Sequence, residues 1–288
     1  MKKNFFRYKI LLFMLILSAN NLFAQYDNPN LDQVPQQYLD YLSTVSPKAP
    51  LVVTDNSGYD NFDIGTAFAE VHAVMNPRNP LQSMAAWNTT AGSNLYYTLN
   101  GIDWALAPQP AWGQSMRGDP VLAYDSLGNL YYENMVGGIT GTRVIKSVHG
   151  GVSFGAGVAA NTGNDKNWLA ADQTNGPYKN YIYTVMTPGN FKRSTNGGTS
   201  FVQTFSAANG LPGNMVCVGA NKNGATNVSG GAVYFVISTG SAFAATYTFY
   251  CSNDGGATFS LKSSQNYAGY VGTDVAGRNS VQNMRTRP

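Results

Sequence analysis

A turn motif that returns at a nearly constant interval constrains this chain more than any other feature of its sequence. Thr98-Leu99-Asn100-Gly101-Ile102-Asp103-Trp104 is a short form of it. Ser147-Val148-His149-Gly150-Gly151-Val152-Ser153-Phe154 and Ser194-Thr195-Asn196-Gly197-Gly198-Thr199-Ser200-Phe201 have the full length, and Ser252-Asn253-Asp254-Gly255-Gly256-Ala257-Thr258-Phe259 is the clearest copy. The closing aromatics Trp104, Phe154, Phe201 and Phe259 follow one another at 50, 47 and 58 residues. A period of this size marks an array of small supersecondary units. Glycine supplies the positive φ that a tight reversal needs, and an Asp or Asn side chain accepts hydrogen bonds from nearby amides. Ser and Thr hydroxyls serve further turn groups, and the final ring can be buried between neighbouring sheets. Asp254 is therefore read as a structural residue.

Around each turn the pattern predicts four strands. The second unit reads as strands at 120–124, 129–133 and 143–146, resuming after the turn near Ser153, with a polar Asp125-Ser126-Leu127-Gly128-Asn129 reversal between its first two strands. The third unit reads 168–171, 181–185, 191–193 and 201–205; the fourth reads 215–218, 233–237 and 246–250, with a last strand from about Phe259. Residues 71–75, 83–87 and 95–97 form a more compact first unit, whose 76–80 connection contains Pro77 and Pro80 and is expected to be a rigid turn. Residues 51–54 are expected either to close a ring as an outer strand or to lead into the first unit. The expected fold class is all-β: a β-propeller of four-stranded antiparallel blades, about four blades in this chain. A parallel β-helix usually has shorter rungs, and stacked β-sandwiches do not explain the same aromatic-terminated hairpin in every unit.

The chain begins with Lys2, Lys3, Arg7 and Lys9, an apolar run over 10–17, and the small-residue ending Leu22-Phe23-Ala24. This is the pattern of a secretory signal peptide over residues 1–24. A polar lead-in over 25–64, with a short helix near 36–42, is expected to follow it, and the propeller is assigned to 65–288. The run is short for a bilayer span and no later segment is longer, so no transmembrane anchor is expected in the mature chain. The leader holds four of the 18 basic residues and none of the 15 acidic ones, so its removal turns a formal charge of +3 into −1. Without a basic patch or stripe, nucleic acid is not an expected partner. Charged residues are only 11% of the chain while Gly reaches 31 and Tyr 18, which suits short strands and turns better than a helical enzyme. Cys217 falls on a first strand and Cys251 on a third, nearly 10 Å apart across a sheet, so they are expected unbridged. His72 and His149 lack metal-ligand spacing, and neither a metal nor a cofactor is expected.

The segment Ser252 to Phe259 resembles the bacterial neuraminidase repeat, or Asp box, of the sialidase-like propeller superfamily. Ser252, Asp254, Gly256, Thr258 and Phe259 carry the resemblance; Ser147, His149, Gly151 and Phe154, and Ser194, Asn196, Gly198 and Phe201, hold the matching positions with His149 and Asn196 in place of the acid. Gly118-Asp119-Pro120-Val121 and Asp165-Lys166-Asn167-Trp168-Leu169 also look like blade starts in secreted members. The resemblance covers about residues 65–288 and implies the fold. Sialidases use an arginine trio, a Tyr nucleophile assisted by Glu, and an Asp acid/base. That set does not carry over here: no Arg-Ile-Pro-like motif precedes the first box, and the only glutamates are Glu70 and Glu133. Each is read as a satisfied strand-edge or surface group. Residues 277–288 resemble the start of another blade, so the chain is read as a fragment of a longer propeller.

First strands converge at a propeller's mouth, so the ligand-binding candidates are Arg117, Asp119, Asp165, Lys166, Arg278 and Arg285. Their cations suit a carboxylated glycan and their carboxylates can orient hydroxyls, with ion pairing and loop capping as the plainer role. Trp112 and Trp168 are read first as packing residues and second as ligand contacts. The expected function is a secreted or cell-surface scaffold that binds an extracellular glycan or protein. The alternative is a sialidase-like exo-glycosidase completed by residues after Pro288, and a third reading is purely structural, favoured where the centre is filled by the protein itself.

Overall fold

The computed structural model describes residues 52–54, 60–62, 69–89, 92–208, 210–220, 222–223, 226–227, 230–241 and 244–268. All of them belong to the compact unit Lys48–Pro288. The predicted signal peptide, the helix near 36–42, and Arg278 and Arg285 lie outside the described residues.

Four four-stranded antiparallel sheets are arranged as propeller blades, each a meander in chain order. The first holds β3 (Ala69–Asn76), β4 (Asn79–Thr89), β5 (Gly92–Thr98) and β6 (Trp104–Leu106). The second holds β7 (Met116–Tyr124), β8 (Leu130–Val136), β9 (Gly141–Ser147) and β10 (Val158–Thr162); the third holds β11 (Asn167–Ala171), β12 (Ile182–Met186), β13 (Asn190–Ser194) and β14 (Val202–Phe205). The fourth holds β15 (Leu211–Val218), β18 (Val233–Ser241), β19 (Ala244–Ser252) and β20 (Ser260–Ala268), with the ribbon of β16 (Lys222–Asn223) and β17 (Thr226–Asn227) between its first two strands. First strands lie nearest a shared axis: β3 packs on β7, β7 on β11 and β11 on β15.

Several strand assignments differ from the sequence reading. β1 (Val52–Thr54) pairs with β2 (Asp60–Phe62) in a separate two-stranded sheet. The first blade has a fourth strand, β6, paired to β5 through Thr98 and Trp104. Pro80 sits within the start of β4, leaving Pro77 and Arg78 as the turn. The last strand of the second blade starts at Val158, not near Ser153. Its approach is taken up by a crossing: Gly157 donates its N–H to the Ala111 carbonyl, and a Cβ there would stand 3.1 Å from the Trp112 oxygen.

The period of two along each strand sends alternate side chains to opposite blade faces. Leu122, Leu130, Tyr132 and Ile145 of the second blade join Met84, Ala86 and Leu95 of the first. Their neighbours Val121, Tyr131 and Val144 pack with Leu169 and Ile182 of the third. Tyr183, Val185 and Phe191 then meet Val216, Phe235 and Ile237 of the fourth. The core is thus a series of seams between sheets.

The repeated turns close these seams. Ser252 Oγ accepts from the Gly256 N–H at 2.8 Å and donates to Asp254 Oδ1 at 2.6 Å; Asp254 Oδ1 in turn accepts from the Ala257 and Thr258 amides. Burial works against the Asp254 charge, and these bonds, with those from the Ser252 and Thr258 hydroxyls, outweigh it and hold the carboxyl below its ordinary range. Ser194 with Asn196 repeats the arrangement, and the Gly198 and Gly151 N–H groups each lie 2.9 Å from their serine oxygen; His149 instead donates its N–H to Ser147 Oγ and sets its Nδ1 2.7 Å from Ser153 Oγ. The short first turn does the same through Thr98, Asn100 and Gly101. The second glycine of each full turn abuts the preceding blade: a Cβ on Gly151 would fall 2.3 Å from Met84, on Gly198 2.9 Å from Tyr131, and on Gly256 3.0 Å from Phe191. Phe154, Phe201 and Phe259 pack into the first, second and third seams, and Phe259 meets Phe191 at 4.6 Å and Phe235 at 4.7 Å. In the short turn Ile102 is the buried residue, and Trp104 is half-exposed at the start of β6.

Along the axis, His72 of the first blade accepts the Leu122 N–H at its Nδ1 (3.2 Å) and packs edge-on against Trp168 of the third, ring centroids 5.2 Å apart. Trp112 is buried edge-on against Tyr132. Both tryptophans therefore serve packing. Cys217 and Cys251 are free, in line across β18 with Tyr234 between them.

The two turn glycines make separable predictions. Gly197→Ala and Gly198→Ala each place a side chain at positive φ (66° and 83°), costing about 1–2 kcal/mol. Only Gly198→Ala also displaces the Tyr131 ring, adding roughly 1–3 kcal/mol. Urea unfolding should place Gly198→Ala clearly below Gly197→Ala; equal losses would refute the seam role of the second glycine.

Candidate functional site

The first strands of the second, third and fourth blades start with the same backbone device. Asp119 (φ 52°), Lys166 (φ 40°) and Gly213 (φ 119°) occupy one position of the repeat, all in the left-handed region. For the two non-glycine residues this costs on the order of 1–2 kcal/mol each, so surrounding contacts must hold them there. Bulges in the β7–β8 pairing between Met116 and Gly118 and between Gly118 and Val121, and in the β15–β18 pairing between Leu211 and Met215, mark the same region.

Those contacts are visible. Lys166 Nζ lies 3.5 Å from Asp119 Oδ2, with both side chains at least nine-tenths buried. Asn88 of the first blade accepts the Asp119 N–H at 2.7 Å and donates to Asp119 Oδ1 at 3.2 Å. Asn134 Oδ1 receives the Gly118 N–H at 2.9 Å while its Nδ2 donates to Ser93 Oγ at 2.8 Å. Asp119 thus ties the second blade forward to the third through Lys166 and back to the first through Asn88.

The structure brings Asp119 and Lys166 together and withdraws both from solvent. Asp165, beside them and half-buried, caps the Lys166 amide at 2.8 Å, and its carbonyl accepts from Thr187. Arg117 is exposed at the start of β7, its Nε donating to the Gly137 carbonyl in the β8–β9 turn. Of the four described candidates, Arg117 and Asp165 alone retain solvent access.

Glu133 departs from the sequence reading. It is neither at a strand edge nor on the surface: it lies in β8, an interior strand, and is 0% exposed. Oε1 accepts from the Thr142 hydroxyl at 2.7 Å and from the Thr184 hydroxyl, and Oε2 from Asn167 Nδ2 at 3.0 Å. Asn161 extends the network, taking its amide to Thr142 and its side chain to the Thr184 and Asn190 carbonyls. Burial raises the carboxyl from 4.5 to about 7, against the opposing pull of the three side-chain donors. The sequence carried one signal of this: aligned on the turns, Glu133 stands where Val185 and Val236 stand in the next two blades. Asn88, Ser93 and Asn134 were also missed, because nothing in their own strands distinguishes them from ordinary polar residues.

Among the described residues no group of three or more His, Cys, Asp or Glu side chains could hold a metal ion, and no helix is long and apolar enough to cross a membrane.

No family model and no curated protein matches the chain. Among solved structures, a Hadza microbial sialidase aligns over 67% of this chain and 45% of its own, at 10% identity and a TM-score of 0.44. An α-L-arabinofuranosidase from Fusarium graminearum aligns over 66% and 65%, at 10% identity and a TM-score of 0.41. A fructofuranosidase from Schwanniomyces occidentalis aligns over 68% and 46%, at 12% identity and a TM-score of 0.41. The chain spans about half the length of the first and third of these.

Two outcomes test this cluster. Lys166→Met strands a buried carboxylate and should cost about 3–5 kcal/mol in denaturant unfolding at pH 7; Asp119→Asn combined with Lys166→Met should recover most of it. Simple additivity of the two single losses would show that the pair does not interact. Glu133 has a folded pKa above its unfolded value, so folding binds a proton and stability falls as pH rises from about 4.5 through 7. Relative to Glu133→Gln, the wild type should lose roughly 3 kcal/mol across that window. A pH-independent difference between the two would contradict the burial account.

Proposed function

We propose that this chain is an Asp-box propeller of the sialidase-like kind, exported through residues 1–24, that serves as a binding scaffold for an extracellular glycan bearing a carboxylate. Arg117 carries the reading. Its Nε is occupied by the Gly137 carbonyl, which fixes the side chain and leaves the two terminal amino groups for a bidentate carboxylate contact. The neighbouring Asp119 is neutralised within the fold by Lys166, so it does not cancel the arginine's charge at the mouth. Half-buried Asp165, whose Oδ1 caps the Lys166 amide, is the proposed acceptor for sugar hydroxyls through its other oxygen. The ordered turns and seams support a rigid frame, which limits the entropy lost on binding.

The exo-glycosidase alternative needs an accessible carboxyl beside a second catalytic group. Glu133 does not offer one, since it is fully buried with both oxygens bonded. In that reading the catalytic centre is completed by residues after Pro288.

The full chain should retain acidic glycans over neutral ones on a glycan array, with Arg117→Ala reducing the signal at least about tenfold, the loss of one charge-assisted contact. Asp165→Asn should weaken retention less. A folded protein that retains no glycan, that binds only a protein ligand, or that binds equally well without Arg117 would defeat the proposal.

A further inference from the structure

The third repeated turn holds an asparagine where the fourth holds an acid, and that asparagine is followed by glycine. In an Asn-Gly pair the glycine nitrogen can attack the side-chain amide before it, because no Cβ stands in the way. Three such pairs lie wholly among the described residues: Asn100-Gly101, Asn175-Gly176 and Asn196-Gly197. In the first two the attacking nitrogen is engaged. Gly101 N–H donates to Thr98 Oγ1 at 2.9 Å, and Gly176 N–H donates to Thr174 Oγ1 at 3.1 Å. Gly197 N–H has no hydrogen-bond partner among the described residues.

The Asn196 amide is also polarised. Its Oδ1 accepts from the Ser194 hydroxyl at 2.8 Å and from the Ser200 N–H at 3.1 Å, two donors for the negative charge that attack would build on that oxygen. Its Nδ2 donates to Ser200 Oγ at 2.9 Å. Lys146 of the preceding blade adds a cation beside the pair, its Nζ standing 3.5 Å from where a Cβ on Gly197 would lie. Asn196 is exposed, so water reaches it. Asn100 Oδ1 likewise accepts from two amides, so the engagement of the glycine nitrogen is what separates the two pairs.

We propose that Asn196 is a self-modification site, at which the third turn converts its own asparagine to aspartate and acquires the acid that the fourth turn carries at Asp254. Gly197 nitrogen gives its proton to a solvent base and bonds to Asn196 Cγ; the Cγ–Nδ2 bond breaks, and Nδ2 leaves as ammonia after taking a proton from water. Water then adds to Cγ of the cyclic imide, the bond from Cγ to Gly197 nitrogen breaks, and that nitrogen regains its proton. The sum is asparagine plus water giving aspartate plus ammonia. The donors held on Oδ1 direct water to Cγ. Opening at the other carbonyl gives isoaspartate, which lengthens the backbone by one carbon just before Gly198, where a Cβ would already fall 2.9 Å from Tyr131. The aspartate has its partners in place: Asp254 accepts from the Ser252 and Thr258 hydroxyls and the Thr258 amide, and Ser194 and Ser200 occupy the same positions around Asn196. The inference rests on the turn alone and is independent of the glycan reading.

The test incubates the folded full chain at mildly alkaline pH and follows asparagine, aspartate and isoaspartate at each pair by fragmentation mass spectrometry. Asn196 should convert at least about fivefold faster than Asn100 and Asn175, the rate equivalent of one hydrogen bond on the nucleophile, with aspartate as the main product. Thr98→Val releases the Gly101 nitrogen and should speed Asn100 by a similar factor. Equal rates at the three pairs, isoaspartate as the main product at 196, or Asn196 intact over the time in which the urea-unfolded chain converts would each overturn the proposal. So would an unchanged Asn100 rate in folded Thr98→Val; if that variant does not fold, the comparison within the wild type decides.

Discussion

The contact on which the structure depends is the one between a turn glycine and the ring or side chain of the sheet before it. A small sheet with apolar residues on both faces cannot be stable alone, and it must find a neighbour at a defined distance and angle. Gly151 against Met84, Gly198 against Tyr131 and Gly256 against Phe191 set that distance, since no other residue tolerates both the positive φ and the close approach. The aromatic three residues further on, Phe154, Phe201 or Phe259, then fills the seam from the same turn. The serine and Asx bonds keep the reversal rigid, so that glycine and ring arrive together. Fold and turn chemistry are the same fact seen at two scales.

This explains what was legible in the sequence. Turn residues are fixed by local sterics, so their recurrence located the four described blades and most of their strand positions directly. The seam role of the closing rings followed from their size and spacing, and holds for the three full turns. Trp104 does not share it: in the shorter first turn Ile102 is the buried residue and Trp104 is half-exposed at the start of β6. Boundaries governed by contacts distant in sequence were not legible. β10 starts late because Gly157 passes over Ala111 and Trp112, a constraint absent from the local pattern. The ribbon of β1 and β2 is likewise a pairing that alternation alone does not specify.

The candidate site divides along the same line. Aligning strand starts was enough to select Arg117, Asp119, Asp165 and Lys166 as neighbours, and Asp119 and Lys166 do meet. Which of them would be buried depended on Asn88 and Asn134, whose side chains reach between blades. His72 shows the limit most plainly. Neither its position on β3 nor its neighbours in sequence indicates a ring that spans from Leu122 to Trp168 across the axis, although the contact follows once first strands converge.

The seams are not equivalent in their chemistry. Between the third and fourth blades the matching positions are apolar, with Phe191, Phe235 and Phe259 in mutual contact. Between the second and third, Glu133, Thr142, Asn161, Asn167 and Thr184 form a hydrogen-bonded layer beside a seam cluster that includes Tyr131 and Leu169. Non-directional packing would allow the two sheets to slide; a network of directed bonds does not. The polar layer adjoins Asp119 and Lys166 through the neighbouring residue Asn167, so it fixes the relative height of these two strand starts. The raised pKa of Glu133 is the cost of setting that height with a buried carboxyl.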